Sequence, residues 1–379
     1  MKVFIVVTHL LGTGHLARAV TLARAFGAGG HDAVVVSGGM PAAQIDLAGI
    51  DLIQLAPVRS DGVNFVQLLD GDSRPVTVEY MDARRRKLIE TLAAQRPDMV
   101  ITELFPFGRR ILRPEFRALL EAADQMRPRP VICSSIRDIL APPSKPAKAD
   151  ATSELVDRYY DAVMVHSDPA ITPLDASWPV CPEIAARLRY TGFVAPPPAQ
   201  PDPEIDGHDE ILVSAGGGDV GENLFATALD AAALDAAQLW RLLVGGRDAE
   251  GLCAAMRQNA PPNVVIEPAR PDFRQMLYHA AASVSMCGYN TALDLLQAGT
   301  PSVFVPFDAG GEVEQSLRAR TLARLPGIVV LPNADLSGPT LSRAVNAVMK
   351  APHRKPAQGG FDGSARTVEI ACELLEKRR

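Results

Sequence analysis

The run Gly288-Tyr289-Asn290-Thr291, followed by Asp294 and then by Glu314-Gln315, sets groups suited to a nucleoside diphosphate at fixed intervals. A buried strand is expected over 280–286 and a helix over 291–298, with the Gly-Tyr-Asn-Thr turn between them. The start of such a helix offers unpaired backbone N–H groups and a partial positive charge, which suit a pyrophosphate. Asp294, a turn or less inside the helix, is placed to accept ribose hydroxyls. Glu314 and Gln315, beyond a further strand over 301–306, are placed to hold sugar hydroxyls.

A second candidate center lies at the other end of the chain, in Gly12-Thr13-Gly14-His15-Leu16-Ala17-Arg18. This turn is not a dinucleotide fingerprint. The third glycine of Gly-x-Gly-x-x-Gly is missing, and the second strand ends in Ser37-Gly38-Gly39 where an acidic residue would bind the adenosine ribose. What remains is a histidine at a helix start, where the dipole favours neutral imidazole, the form a general base needs. The alternative is that His15 caps its helix or packs between domains. Glu103, in Thr102-Glu103-Leu104-Phe105-Pro106-Phe107-Gly108-Arg109-Arg110, follows a strand and can bind an acceptor, orient His15 or act as the base itself. Asp138, in Ser134-Ser135-Ile136-Arg137-Asp138, is the rival orienting carboxylate, with strand-end capping and a local Arg137–Asp138 pair as the structural alternative. Arg109 and Arg137 join Glu103 as expected acceptor contacts, and Gly14 is expected beside the donor. His166-Ser167-Asp168 also follows a strand, but Pro169 favours a turn role there.

Gly216-Gly217-Gly218 follows the first strand of the second half, and glycine permits close backbone approach to a phosphate or simply a tight turn. No Lys-Ser or Lys-Thr follows, so the loop is not that of an ATPase. Asp70-Gly71-Asp72 has the form of a metal-binding Asp-x-Asp, but its setting reads as a surface turn. No Gly-x-Ser-x-Gly elbow supports an esterase.

The elements that must position these groups alternate strand and helix. Strands are expected over 3–7, 32–37, 50–55, 99–102, 131–134 and 162–165, with helices over 16–26, 81–95 and 114–125. Continuous apolar strands separated by helices imply a parallel sheet. The Pro-rich segment 195–204 cannot continue a helix or a central strand and reads as a linker. A second alternation follows: strands over 211–214, 240–244 and 264–267, and helices over 222–232, 249–258 and 273–279. The fold class is α/β, two Rossmann-like doubly wound parallel-sheet domains facing across a cleft. Their expected bounds are 1–198 and 199–355, with a C-terminal helix over 365–377 in segment 356–379 crossing back to the first domain. Ligands bind such sheets at the carboxyl ends of their strands.

The totals narrow the function classes. At 379 residues the chain has material for two cores, and a net charge of −6 with 5% aromatic residues argues against a nucleic-acid binder. The basic run Arg84-Arg85-Arg86-Lys87 reads as a solvated helix face. Cys133, Cys181, Cys253, Cys287 and Cys372 form no Cys-x-x-Cys pair, so a reduced cytoplasmic protein without structural zinc is expected. No window is long and apolar enough for a membrane span, which leaves only peripheral membrane contact.

With these motifs in hand, the chain resembles the two-Rossmann-domain (GT-B) glycosyltransferases, especially family 28. It is most similar to a bacterial group of predicted glycosyltransferases sharing Gly-Thr-Gly-His-Leu, Thr-Glu-Leu-Phe-Pro-Phe-Gly-Arg-Arg and Arg-Asp-Ile-Leu. The resemblance implies an inverting, metal-independent hexosyltransferase using a UDP-type sugar as co-substrate and no cofactor, with an unidentified acceptor. It implies that Gly216 to Gly218 and Gly288 to Thr291 surround the donor diphosphate, that Asp294 binds ribose and that Glu314-Gln315 contacts the donor sugar. The ribose carboxylate is usually Glu, so Asp294 is one methylene shorter. A phosphate-binding arginine expected near the linker has no counterpart over 190–194, which leaves Arg247 or His15 to serve. The Gly-x-Gly-His-x-x-Arg form is also similar to a UDP-sugar hydrolase of the same architecture, so hydrolysis is the competing reaction. A catalytically inactive nucleotide-sugar-binding protein is the non-enzymatic alternative.

Overall fold

The computed structural model describes every residue except 11–12, 43–44, 61–66, 217–220, 247, 309–311, 353, 357–359 and 379. The chain divides into two compact units, Met1–Val194 with Gly360–Arg379, and Ala195–Gly359.

The first unit is built on a seven-stranded sheet of order β3-β2-β1-β4-β5-β6-β7, every pair parallel. Its strands are β1 (Lys2–Val7), β2 (Asp32–Ser37), β3 (Asp51–Gln54), β4 (Met99–Glu103), β5 (Val131–Arg137), β6 (Ala162–His166) and β7 (Leu188–Tyr190). Both faces are covered, which is why the strands read as unbroken apolar runs. Side chains alternate between two layers. Val3, Ile5, Val7, Ile101, Cys133 and Met164 pack with α1 (Gly14–Ala28) and α12 (Gly363–Glu376). Phe4, Val6, Val100, Ile132 and Val163 pack with α2 (Val78–Gln95), α3 (Arg113–Gln125) and α4 (Pro146–Tyr159). The short helix α5 (Pro182–Arg187) leads into β7.

The terminal helix is tied into this unit by its backbone as well as its apolar face. Phe193 N donates to Gly360 O at 2.7 Å, Gly363 N donates to Phe193 O at 3.0 Å, and Arg378 pairs with Asp161 at 2.6 Å.

One residue of the basic run departs from the expected solvated face. Arg84 is fully buried and forks onto Glu115, with Nε to Oε2 at 2.8 Å and Nη2 to Oε1 at 3.0 Å. A Cβ on Gly38 would lie 2.2 Å from Arg84 Nη2, so that glycine is required by the guanidinium packed against it. Paired burial of this sort is tolerated because the carboxylate and the carbonyls of Gly38 and Ala56 satisfy the cation.

The second unit carries a six-stranded parallel sheet of order β10-β9-β8-β11-β12-β13. Its strands are β8 (Ile211–Ser214), β9 (Trp240–Val244), β10 (Val264–Pro268), β11 (Ala282–Ser285), β12 (Ser302–Phe304) and β13 (Ile328–Val330). The helices are α6 (Glu222–Leu234), α7 (Ala249–Arg257), α8 (Phe273–Met276), α9 (Tyr289–Ala298), α10 (Glu314–Leu322) and α11 (Gly338–Lys350). Helices α6 and α11 share one core with β8, β9 and β11, through residues such as Leu224, Ala228, Leu341, Val345, Val213 and Leu242. The helix expected over 273–279 closes earlier, after one turn. In both sheets the first strand of the unit is central and the order reverses beside it, the doubly wound arrangement in which ligands meet the carboxyl ends of the strands.

Candidate functional site

The polar cluster of the first unit follows from strand parity. Ile101, Cys133 and Met164 face α1, so the residues two places on, Glu103, Ser135 and His166, face α1 as well. All three stand at the carboxyl ends of adjacent strands, with Glu103 in register with Ser135. From the other side come His15 and Arg18, three apart in the first turns of α1 and so on one helix face.

The result is a compact buried network. Glu103 Oε1 accepts from His15 Nδ1 at 2.9 Å and from Arg18 Nη2, while Oε2 accepts from Ser135 Oγ at 2.6 Å. Burial pushes the Glu103 carboxyl up, but the Arg18 guanidinium and the His15 hydrogen bond outweigh it and hold the group well below the usual carboxylate range. An ionised carboxylate can only accept. His15 Nδ1 therefore carries the proton, and Arg18 Nη2, 3.1 Å from that nitrogen, shares the same carboxylate oxygen. Nε2 holds the lone pair.

Burial is the largest influence on the His15 ring and takes it down to about 3, with Arg109 and Arg18 adding to the depression and Glu103 opposing it. Burial thus favours the neutral imidazole. Arg109, in a left-handed conformation at φ 57°, donates from Nε to Thr8 O at 2.6 Å, just past β1. Burial lowers its guanidinium to about 10. Arg137 ends β5 half-buried, and Asp138 is buried one residue beyond. Glu103 is the carboxylate on His15 Nδ1. His166, read from sequence as a turn residue, is instead the fully buried last residue of β6. Its Nε2 lies 2.9 Å from Ser135 Oγ, and its Nδ1 lies 2.9 Å from Thr191 Oγ1.

In the second unit Gly288 is the N-cap of α9, with no side-chain cap on the helix, and Tyr289, Asn290 and Thr291 form its first turn. The guanidinium of Arg318, from α10, lies 5.7 Å over the Tyr289 ring and donates to Cys287 O at 2.9 Å, so a buried cation stands beside that helix start. Asp294 accepts from Arg274 Nε at 2.8 Å. Burial raises the Asp294 carboxyl while Arg274 opposes the rise. Arg274 also reaches Gln297 Oε1 at 2.8 Å and Pro197 O at 2.7 Å, tying the site to the Pro-rich segment. Glu314 and Gln315 open α10, and Gln315 Oε1 accepts from Phe307 N at 3.1 Å. Gly216 follows β8 at φ +77°, a conformation that itself favours glycine. Gly217, Gly218 and Arg247 lie outside the described residues. Asp70 of the Asp-Gly-Asp run accepts from the backbone of Asp72 and Arg74, both at 2.9 Å, which is the geometry of a turn.

Arg18, Ser135, His166, Arg274 and Arg318 were not singled out from sequence as site residues. For the first three a signal existed: polar residues of the same parity at the ends of apolar strands, and an arginine one helical turn after a histidine.

Residues 212–362 match the family described as glycosyltransferase family 28 C-terminal domain. A curated relative, the UDP-N-acetylglucosamine--N-acetylmuramyl-(pentapeptide) pyrophosphoryl-undecaprenol N-acetylglucosamine transferase of Anaeromyxobacter sp. (strain K), is 27% identical over 122 residues. That match spans 29% of this chain and only 32% of the relative. Among solved structures, a calicheamicin glycosyltransferase superposes with a TM-score of 0.62 at 19% identity, covering 100% of this chain and 96% of that one. MurG of Acinetobacter baumannii does so with a TM-score of 0.61 at 14% identity, covering 99% and 95%. Likeness at such identities speaks for the fold. The chain is thus similar to glycosyltransferase family 28 over residues 212–362 and has the fold of the GT-B glycosyltransferases.

Proposed function

We propose that the protein transfers a hexosyl or N-acetylhexosaminyl group from a UDP-type donor to an acceptor hydroxyl, with inversion and without a resident metal or cofactor. The observation that carries this reading is the His15–Glu103 pair, a neutral imidazole oriented by an ionised carboxylate at the carboxyl edge of a parallel sheet. His15 Nε2 takes the acceptor proton while the acceptor oxygen forms its bond to the anomeric carbon. The bond from that carbon to the diphosphate oxygen breaks, and the electron pair leaves with UDP. Glu103 stabilises the imidazolium that forms, a role for a buried carboxylate familiar from hydrolytic triads. Glu103, Arg109 and Arg137 are the acceptor contacts of this reading.

In this reading the first turn of α9 and the glycines from Gly216 onward receive the leaving group. Preorganised donors aimed at developing charge are usually the largest catalytic contribution. Asp294 receives the ribose and Glu314-Gln315 the donor sugar. The relative that is 27% identical over 122 residues bears UDP-N-acetylglucosamine in its name, which supports the uridine base and the N-acetylhexosaminyl alternative.

A thermal-shift panel of nucleoside diphosphates and their sugars tests the donor half. Ligand binding only the folded state at about 100 times its Kd stabilises by about 2.7 kcal/mol. UDP and its sugars are expected to raise the melting temperature, and no response to any nucleotide overturns the proposal. Acceptor-dependent UDP release then identifies transfer. Free sugar and UDP formed without acceptor, and lost in His15→Ala, would replace transfer by hydrolysis.

A further inference from the structure

His166 is a fully buried imidazole that the transfer chemistry does not use, yet it stands two hydrogen bonds from Glu103, the partner of the base. We propose that Ser135 and His166 are positioning residues: with Thr191 they form a one-way hydrogen-bond chain that locks Glu103 in rotation and so fixes which nitrogen of His15 carries the lone pair. The inference deepens the proposed function and rests on His15 being its base.

The direction of the chain follows from what each atom can do. The Glu103 carboxylate accepts only, so the Ser135 hydroxyl donates to Oε2, at 2.6 Å the shorter of its two contacts. Having spent its one proton, Ser135 Oγ must accept from His166, which puts the proton on Nε2. His166 Nδ1 is then an acceptor toward Thr191 Oγ1 at 2.9 Å, where it competes with Gly192 O, 2.8 Å away, for the one Thr191 proton. His15 and His166 are therefore opposite tautomers, Nδ1–H and Nε2–H.

Each link removes one freedom. The terminal torsion of a glutamate is soft and broad, and nothing in a carboxylate distinguishes its two oxygens. Ser135 holds Oε2 and leaves Oε1 for His15 and Arg18. A serine hydroxyl rotates to suit its neighbours. The N–H of His166 occupies its lone pair and turns its proton toward Glu103. Both nitrogens of the His166 ring are engaged inside the fold, Nε2 by Ser135 Oγ and Nδ1 by Thr191 Oγ1, so neither faces a reacting group. It orients and does not relay.

Nitrogen-15 NMR of the full-length protein labelled at histidine reads the tautomers with no substrate present, so it can fail while donor binding and transfer still stand. Wild type is expected to show His15 as Nδ1–H and His166 as Nε2–H. Ser135→Ala and His166→Leu are expected to leave His15 as a mixture of tautomers, with His166→Gln, which keeps an N–H donor toward Ser135, restoring the single form. The same pattern is expected in turnover, where kcat falls about tenfold in Ser135→Ala and His166→Leu with the donor KM unchanged, a smaller loss than removal of a general base itself. Circular dichroism checks that each variant is folded, and either of the two disruptive variants suffices for the test. A wild-type His166 in the Nδ1–H form, or a single unaltered His15 tautomer in a folded Ser135→Ala or His166→Leu, overturns the proposal.

Discussion

His15 Nδ1 and Glu103 Oε1 meet at 2.9 Å although 88 residues separate them. Two periodicities make the contact. The helical one puts His15 and Arg18 on the side of α1 that packs against the sheet, and the strand one puts Glu103 on the α1 face because Ile101 is there. The glutamate occupies a position where parity calls for an apolar side chain, so its charge is compensated by three donors, His15, Arg18 and Ser135.

Glu103→Gln separates charge from shape. The amide still offers an oxygen to His15 Nδ1–H, but the imidazolium loses its counter-charge and buried Arg18 loses its partner. UDP release at saturating donor and acceptor is expected to fall on the order of 10² to 10⁴-fold. Urea denaturation is expected to show a loss of about 3 to 5 kcal/mol, the usual cost of stranding one member of a buried pair. If the two residues act as a unit, the double variant with His15→Ala turns over no slower than the slower single. Full activity in Glu103→Gln would remove the glutamate from the mechanism.

His9, His15 and His166, all lowered by burial, make the fold acid-sensitive, and the sign follows from linkage. His15 and His166 fall from the ordinary value of 6.5 to about 3 in the folded chain. Between about pH 6.5 and about pH 3 the unfolded chain binds protons at these rings that the folded chain refuses, so stability rises with pH there and is lost as pH falls. Glu103, held below its ordinary 4.5, adds to the loss below that value because its stabilising contribution is present only while it stays ionised. Urea midpoints compared at about pH 7 and about pH 4.5 should show the drop, and His166→Gln should reduce it. Equal midpoints in the wild type would contradict the buried neutral state of these rings.

The backbone architecture was the more legible part of the sequence, and the side-chain networks the less. Apolar runs such as 32–37 and 211–214 marked their strands to the residue, because a parallel strand buried on both faces leaves a continuous signal. Strand β7 (Leu188–Tyr190) escaped notice: three half-buried residues at a sheet edge carry no period. Helix α4 was also missed, lying between Pro-rich stretches. At the site, His15 and Glu103 announced themselves by type and position. The choice between Glu103 and Asp138 needed the register of β4 against α1, which no local pattern encodes. Arg84 read as solvent-facing because its neighbours are basic, and only the approach of Glu115 from α3 shows why one of that run is buried.

The Arg274–Asp294 pair predicts how donor affinity depends on pH. Burial already pushes the Asp294 carboxyl up, and Arg274 is the group that opposes the rise. Arg274→Met should let it climb further, so that Asp294 takes a proton in mildly acid solution and loses its ability to accept from two ribose hydroxyls. Calorimetric titration with UDP is expected to give similar affinities for wild type at about pH 7 and about pH 5.5, and a marked loss at the lower pH in the variant. Asp294→Asn should weaken UDP at both, by about 1.5 to 3 kcal/mol, the worth of hydrogen bonds to a charged group. A variant Arg274→Met that binds UDP as tightly as wild type at both pH values would separate Asp294 from the ribose.

Gly288 gives the sharpest separation of fold from function. Its φ of −63° is open to any residue, and an added Cβ would meet only Thr291 Oγ1, at 3.9 Å. The unliganded fold therefore has no need of glycine there, whereas Gly38 and Gly221 are pinned by atoms 2.2 Å and 2.3 Å from the place a Cβ would take. If a diphosphate seats on the first amides of α9, it approaches the backbone where that methyl would stand. Gly288→Ala is accordingly expected to keep or slightly raise the melting temperature, since alanine narrows the unfolded ensemble at a compatible φ. The same variant should weaken UDP binding at least tenfold, equivalent to about 1.4 kcal/mol. Gly14→Ala, with nothing within 4 Å of the added Cβ, makes the parallel test at the His15 helix. Undiminished UDP affinity in a folded Gly288→Ala would place the diphosphate away from α9.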